Sequence, residues 1–250
     1  YRIISMSIWG KVIGGAAGFA LGGPLGAILG VMAGNAFDKR TGSNFKFNKI
    51  NSQQKQQIFA LSIIVLSAKL AKSDGKVTVD EVNAFKEKFN VPKNELPKVA
   101  KIFNEAKKEV YGYKQIADQI GILFADNKVI LEELLNNLFY IAASDGKVSL
   151  SEIEMLKSIS KSFNFTENEY QRIFQLSLKN NQSDPYKILG VSRQDDDLTI
   201  RKKWITLNKE HHPDNLIAKG MPKEFIKRSN EELATINLAY EKIKDIREIN

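Results

Sequence analysis

Cysteine is absent from all 250 residues, which excludes disulfides and thiolate metal sites and suits a reducing compartment. Histidine is almost as scarce. Its two copies, His211 and His212, are neighbours, and no further histidine or cysteine exists to complete a metal site around them. A Walker-type glycine loop, a Gly-x-Gly-x-x-Gly turn, a zinc-protease motif and a serine elbow are equally missing. The chain is therefore expected to be no enzyme, to need no cofactor and not to hydrolyse ATP itself. No stretch alternates with the period of a half-buried strand, so the expected fold is all-α. The formal charge is +8. Its lysines are scattered without a nucleic-acid fold signature, so the reading is general surface basicity and no nucleic-acid partner.

Charge itself is missing from Val12 to Phe37, a run of 26 residues. As a helix this run would measure about 39 Å at ~1.5 Å per residue, enough to cross a hydrocarbon core of about 30 Å with some tilt. A transmembrane helix is accordingly expected over residues 8–37. Lys11 flanks one end and Asp38, Lys39 and Arg40 the other, while Trp9 sits where an interfacial aromatic would. Lys39, Arg40, Lys46 and Lys49 follow the run, against Arg2 and Lys11 before it. The positive-inside rule then places the N-terminus outside and the rest of the chain in the cytoplasm. Gly14, Gly18, Gly22, Gly26, Gly30 and Gly34 recur every four residues, on nearly one helix face. Such a stripe lets a second helix approach closely, so the expected assembly is a homo-oligomer, a dimer through the membrane helix. Pro24 is expected to kink the middle. The chain begins at Tyr1, and Met6 is expected to be the natural start.

A polar linker, 38–51, leads into a helical region, 52–181. Ile58 to Leu70 is densely apolar and reads as a buried helix. The stretch Ala71-Lys72-Ser73-Asp74-Gly75-Lys76-Val77-Thr78-Val79-Asp80-Glu81-Val82 recurs 71 residues later as Ala142 to Ile153. In each copy a helix should end near Asp-Gly, a valine should tuck inward, and Thr78 or Ser149 should cap the next helix. Glu81 or Glu152 then stands three residues on, completing a capping box. Thr166 with Glu169 repeats the pattern. Two helix–turn–helix units are expected to pack as a pseudo-symmetric bundle. The turn also mimics half an EF-hand loop. Its first two ligand positions would fall on Leu70 and Lys72, or Ile141 and Ala143, and none offers a carboxylate. Asp74, Glu81, Asp145 and Glu152 remain candidates for a looser metal site, with capping and solvation as the default. Through its two Ser-Asp-Gly-Lys-Val turns and its helix order, this region resembles the TerB-like (tellurite-resistance-associated) domain.

Ser183-Asp184-Pro185 is a helix start, with a cap followed by proline at the first helical position. Asp195-Asp196-Asp197 puts a cap and negative charge before a second helix, about Leu198 to His211. That helix has Ile200, Trp204 and Leu207 on its apolar face and Arg201, Lys202, Lys203 and Lys209 toward its exposed side. His212-Pro213-Asp214 should stop it. A third helix is expected from Pro222 to Ile243, with Phe225, Leu233, Ile236 and Tyr240 facing inward.

Tyr186-x-x-Leu189-Gly190-Val191, the basic helix, His212-Pro213-Asp214 and the long last helix together resemble a J domain over 184–250. The whole order of anchor, TerB-like bundle and J domain is similar to membrane-anchored DnaJ-like co-chaperones of the bacterial inner membrane. That resemblance implies a DnaK-type chaperone as partner, with stimulation of its ATPase and a role in envelope and capsule signalling. It also implies that the basic helix docks on acidic chaperone surface, with Arg201, Lys202, Lys203 and Lys209 supplying steering charge. In the loop, Asp214 is expected to pair with a chaperone arginine, Pro213 to stiffen the turn and His212 to orient it. Glu210 and Asn215 stand where many J domains carry lysine. The alternative reading is a metal- or stress-sensing membrane adaptor working through the TerB-like bundle.

Overall fold

The structure is a computed structural model that describes residues 7–11, 26, 51–73, 85, 89, 91–108, 112–144, 148–177 and 183–248. Among the described residues every regular element is helical. The order is α1 (Ile8–Lys11), α2 (Ser52–Ser73), α3 (Leu96–Ala106), α4 (Tyr113–Leu123), α5 (Lys128–Ala142), α6 (Leu150–Ser162), α7 (Glu167–Ser177), α8 (Pro185–Leu189), α9 (Asp197–Glu210), α10 (Pro213–Ala218), a 3₁₀ turn (Lys223–Phe225) and α11 (Ile226–Arg247).

Helix α2 starts on a reciprocal cap. The Asn51 side chain accepts from the Gln54 amide at 2.8 Å, and Gln54 Oε1 accepts from the Asn51 amide at 3.0 Å. From Ile58 to Ala71 every residue is buried. A helix buried all round must be covered on every side, and α3, α4, α5, α6 and α1 all pack on α2. Lys69, the charged residue in this stretch, is buried with its ammonium 3.3 Å from the Ala106 carbonyl. It therefore sits at the C-terminal end of α3, where a helix favours positive charge. The expected buried helix over Ile58 to Leu70 is thus the axis of the middle bundle.

Two of the expected capping boxes are formed. Glu152 Oε2 accepts from the Ser149 amide at 2.8 Å while the Glu152 amide donates to Ser149 Oγ, and Thr166 with Glu169 repeats the arrangement. The first copy of the repeat, with Asp74, Thr78 and Glu81, lies outside the described residues, as does Asp145. No helix among the described residues is long and apolar enough to cross a membrane. The uncharged run falls outside them apart from Gly26.

Two apolar clusters organise the chain. The smaller joins Tyr186, Ile188, Leu189, Ile200, Leu207, Ile236, Ala239, Tyr240 and Ile243 of α8, α9 and α11 with Leu176 of α7. Trp204 covers it, stacked on Tyr240 with ring centroids 4.3 Å apart. The larger is the bundle core, and it takes Leu216, Met221 and Phe225 from the C-terminal region. Phe225 faces inward as expected, and the core that it enters is the bundle's. Its ring meets Phe59 at 5.0 Å and Phe89 at 4.9 Å, so the start of the last helix is seated in the bundle.

Trp9 corrects an expectation. It is fully buried beside Phe85, Phe89 and Phe225, and its indole N–H donates to the Phe89 carbonyl at 3.2 Å. Buried indole needs both an apolar wall and a polar partner, and this socket supplies both. Glu224 closes it by accepting from the Ile8 amide at 2.9 Å. Trp9 is therefore a core residue here, with no exposed face for a membrane interface.

Because Phe225 is shared between regions, Phe225→Ala should cost about 3–5 kcal/mol and loosen both. In urea unfolding followed by circular dichroism and by tryptophan fluorescence, with Trp9 reporting the bundle and Trp204 the C-terminal region, the unsubstituted chain should lose both in one coincident transition. Two well-separated transitions would show that the cores are independent.

Candidate functional site

Helix α9 begins at Asp196, whose side chain accepts from the Thr199 amide at 2.6 Å. It ends at Glu210. His212 then caps a new short helix, α10, with Pro213 in its first position. His212-Pro213-Asp214 therefore ends one helix and starts another. His212 Nδ1 accepts from the Asp214 amide at 3.3 Å, a local bond that caps the turn. The His212 and Asp214 side chains are 57% and 90% exposed. Asn215 explains one departure from the J-domain pattern. Its amide donates to the Lys209 and Glu210 carbonyls at 3.1 and 2.8 Å, satisfying the orphaned end of α9 and tying α10 to it.

The charged face of α9 is open. Arg201, Lys202 and Lys209 are exposed and Lys203 is half-buried. Leu198 and Ile205, at 60% and 49% exposure, lie on the same face. Sequence reasoning passed over this apolar pair, although its seven-residue spacing, offset from Ile200 and Leu207, carried the signal. Behind this face, Arg247 holds the domain closed, donating to Tyr186 Oη at 2.9 Å, Asp197 at 2.8 Å and the Arg193 carbonyl at 2.7 Å.

The two histidines face opposite ways. His211 is fully buried against the bundle. Its Nδ1 lies 2.8 Å from Glu133 Oε1 and its Nε2 3.2 Å from Glu132 Oε1, both carboxylates on α5. Nδ1 is hydrogen-bonded to Glu133, while Nε2 faces Glu132 Oε1 as an ion-pair contact without hydrogen-bond geometry, so a carboxylate on each side favours the doubly protonated ring. Around them, Arg172 of α7 pairs with Glu132, Ser229 donates to Glu133 at 2.9 Å, and Glu232 takes Asn136 at 2.9 Å and Arg228 at 3.1 Å. Three carboxylates meet three cations, every one buried.

Burial opposes a charge on His211, but Glu132 and Glu133 outweigh it and hold the imidazole pKa up to about 10. Burial likewise works against the Glu132 carboxylate, and Arg172 and His211 more than offset it, keeping that group well below the ordinary carboxylate range. Glu232 moves the other way. Burial and the Glu133 charge raise it against the pull of Arg228 and His211, so it is the member least disposed to ionise.

Donor atoms of Glu133, His211 and Glu232 lie within 4.8 Å of one another, a spacing that a metal ion could use. Glu133 is already engaged by Ser229 and His211, and Glu232 by Asn136 and Arg228, and the six-group cluster is neutral when fully charged, so nothing in it calls for a further cation. Of the metal candidates named above, Asp74, Glu81 and Asp145 are not among the described residues. Glu152 is committed to Ser149. The stripe glycines, Gly26 excepted, are likewise not described.

His211→Gln should cost about 3–5 kcal/mol near neutral pH, since it strands buried carboxylates. A folded-state pKa raised above the unfolded value of about 6.5 contributes stability that is complete below that value and fades as pH climbs toward 10. The stability gap between the unsubstituted chain and His211→Gln, read by urea unfolding, should therefore narrow from pH 6.5 to pH 10. A gap independent of pH would show that His211 is neutral.

Comparison with known proteins agrees with this organisation. A family model described as the co-chaperone DjlA transmembrane domain matches residues 6–55, one for the tellurite resistance protein TerB matches 60–175, and one for the DnaJ domain matches 184–249. The co-chaperone protein DjlA of Photobacterium profundum is 27% identical, covering 95% of this chain and 98% of its own length. Those of Coxiella burnetii (26%, with 95% and 97% covered) and Escherichia coli K12 (24%, with 96% and 98% covered) match over similar spans. No solved structure matches the chain. All three domain types stand in the same order and the relatives align over nearly the full length, so the chain resembles the DjlA co-chaperones from end to end.

Proposed function

We propose that the chain is a regulatory co-chaperone that stimulates the ATPase of a DnaK-type chaperone through His212, Pro213 and Asp214, and is not itself an enzyme. One observation carries this reading: the His212 and Asp214 side chains project into solvent at the end of a helix whose Arg201, Lys202 and Lys209 are also free of the fold. On this reading the exposed Asp214 pairs with an arginine of the chaperone, and a desolvated pair of that kind makes loss of one partner cost on the order of 2–5 kcal/mol. Arg201, Lys202, Lys203 and Lys209 steer encounter, so association should weaken with salt. Leu198 and Ile205 add apolar contact on the same face. The domain map proposed from the sequence is 8–37 membrane helix, 38–51 linker, 52–181 TerB-like domain and 184–250 J domain, with Ile8 and Trp9 at the start of the first segment drawn into the bundle core. The proposed setting is envelope and capsule signalling.

The proposed location is the bacterial inner membrane, with the folded domains cytoplasmic and dimerisation through Gly14, Gly18, Gly22, Gly26, Gly30 and Gly34. A single pass with the N-terminus outside follows from the charge pattern. That topology and the Trp9 socket are mutually exclusive, because the socket lies in the cytoplasmic bundle. As the chain has no native cysteine, Ser7→Cys in intact spheroplasts distinguishes them. Labelling by a membrane-impermeant maleimide is expected for the single pass. Protection until the membrane is opened would place α1 in its socket and both ends of the anchor in the cytoplasm.

Single-turnover ATP hydrolysis by the cognate DnaK tests the function itself, with the full chain in nanodiscs. Acceleration by the unsubstituted chain and none by His212→Gln is the expected result. Equal rates with both would remove the loop from the mechanism.

A further inference from the structure

The exposed residues of the loop account for partner contact, and His211, one position earlier, is left with a different task. The basic face is held by one domain and the loop by two. Ile200 and Leu207 of α9 belong to the C-terminal domain's own core, so the basic face is fixed from within that domain. The loop is tied to the end of α9 by Asn215 and is gripped in addition from the TerB-like side. His211 is gripped by Glu132 and Glu133, and Leu216 is buried in the bundle core. Gly220, at φ +105°, lies so close to α2 that a Cβ there would stand 2.8 Å from Lys55 Cβ. Along residues 211–216 the side chains divide, with His211 and Leu216 turned into the bundle and His212 and Asp214 turned out.

We propose that Glu132 and Glu133 are positioning residues for His212-Pro213-Asp214: by gripping His211 they fix the loop relative to the basic face of α9. The J domain then engages its chaperone as one end of a two-domain body, with the TerB-like bundle setting the loop's geometry. The inference rests on the co-chaperone reading above. It separates two quantities that a tethered J domain would not. The basic face governs how much co-chaperone is needed, and the bundle's grip on the loop governs how fast bound DnaK hydrolyses ATP. Displacing a reacting group by about 1 Å can cost around a hundredfold in rate, so even a modest shift of the loop should be visible.

The test is single-turnover ATP hydrolysis by the cognate DnaK against the concentration of full chain in nanodiscs, for the unsubstituted chain, Glu133→Gln and Ser229→Ala. The last removes only the hydroxyl that holds Glu133 Oε2 and spares the fold if Glu133→Gln does not. The expected result is a plateau rate lowered roughly tenfold in Glu133→Gln and less in Ser229→Ala, with half-saturation unchanged. Partial unfolding alone would do the reverse, shifting half-saturation and sparing the plateau. An unchanged plateau in both folded variants would overturn the proposal. Absence of stimulation by the unsubstituted chain would instead overturn the co-chaperone reading beneath it.

Discussion

A protonated imidazole held between two carboxylates, His211 between Glu132 and Glu133, is the constraint from which the arrangement of the C-terminal half follows. Burying ions costs several kcal/mol each even after relaxation, and good geometry with further hydrogen bonds is needed to offset it. Here Arg172, Ser229 and Asn136 supply those bonds, and Arg228 adds an ion pair to Glu232. A polar cluster of this kind tolerates few alternatives, because any displacement of the J domain strands a charge away from water. Apolar contacts through Leu216, Met221 and Phe225 provide attraction on the same seam, but on their own would accept many packings. The cluster selects one of them.

Glycine serves the same seam where side chains would intrude. Gly190 ends α8 at φ +68°, and its missing Cβ leaves room for the Arg172 stem, which would otherwise lie 2.9 Å away. Gly220 does likewise against Lys55. Gly190 of the Leu-Gly-Val motif and Gly220 are therefore places where this chain's J domain meets its TerB-like bundle. Arg172 links the two roles, since its stem packs on Gly190 while its guanidinium pairs with Glu132.

Much of the fold was legible because its signals are local. The caps at Ser149, Thr166, Asp184 and Asp196, the buried run from Ile58 and the apolar stripe of α9 each follow from residues within a few positions. The exposed His212-Pro213-Asp214 turn was equally readable, since a proline after an N-cap leaves few geometries. What escaped was partnership across long separations. Periodicity says that Phe225 and Trp9 want an apolar wall, but not whose wall it is. Adjacent histidines gave no sign that one faces solvent and the other two glutamates 78 and 79 residues away in sequence. Glu132-Glu133 sits in the middle of an apolar helix, and that placement was the available clue: two buried acids require buried cations.

The most direct test is the state of the His211 ring. With only two histidines in the chain, ¹⁵N-labelled imidazole spectra are easily assigned by substituting one. The account predicts that at pH 7.5 both ring nitrogens of His211 carry protons in slow exchange with water, with no titration between pH 6 and 8. A His211 that is neutral at pH 7.5 and titrates near its ordinary value would contradict it, and would mean that the J domain is not held on the bundle by this cluster.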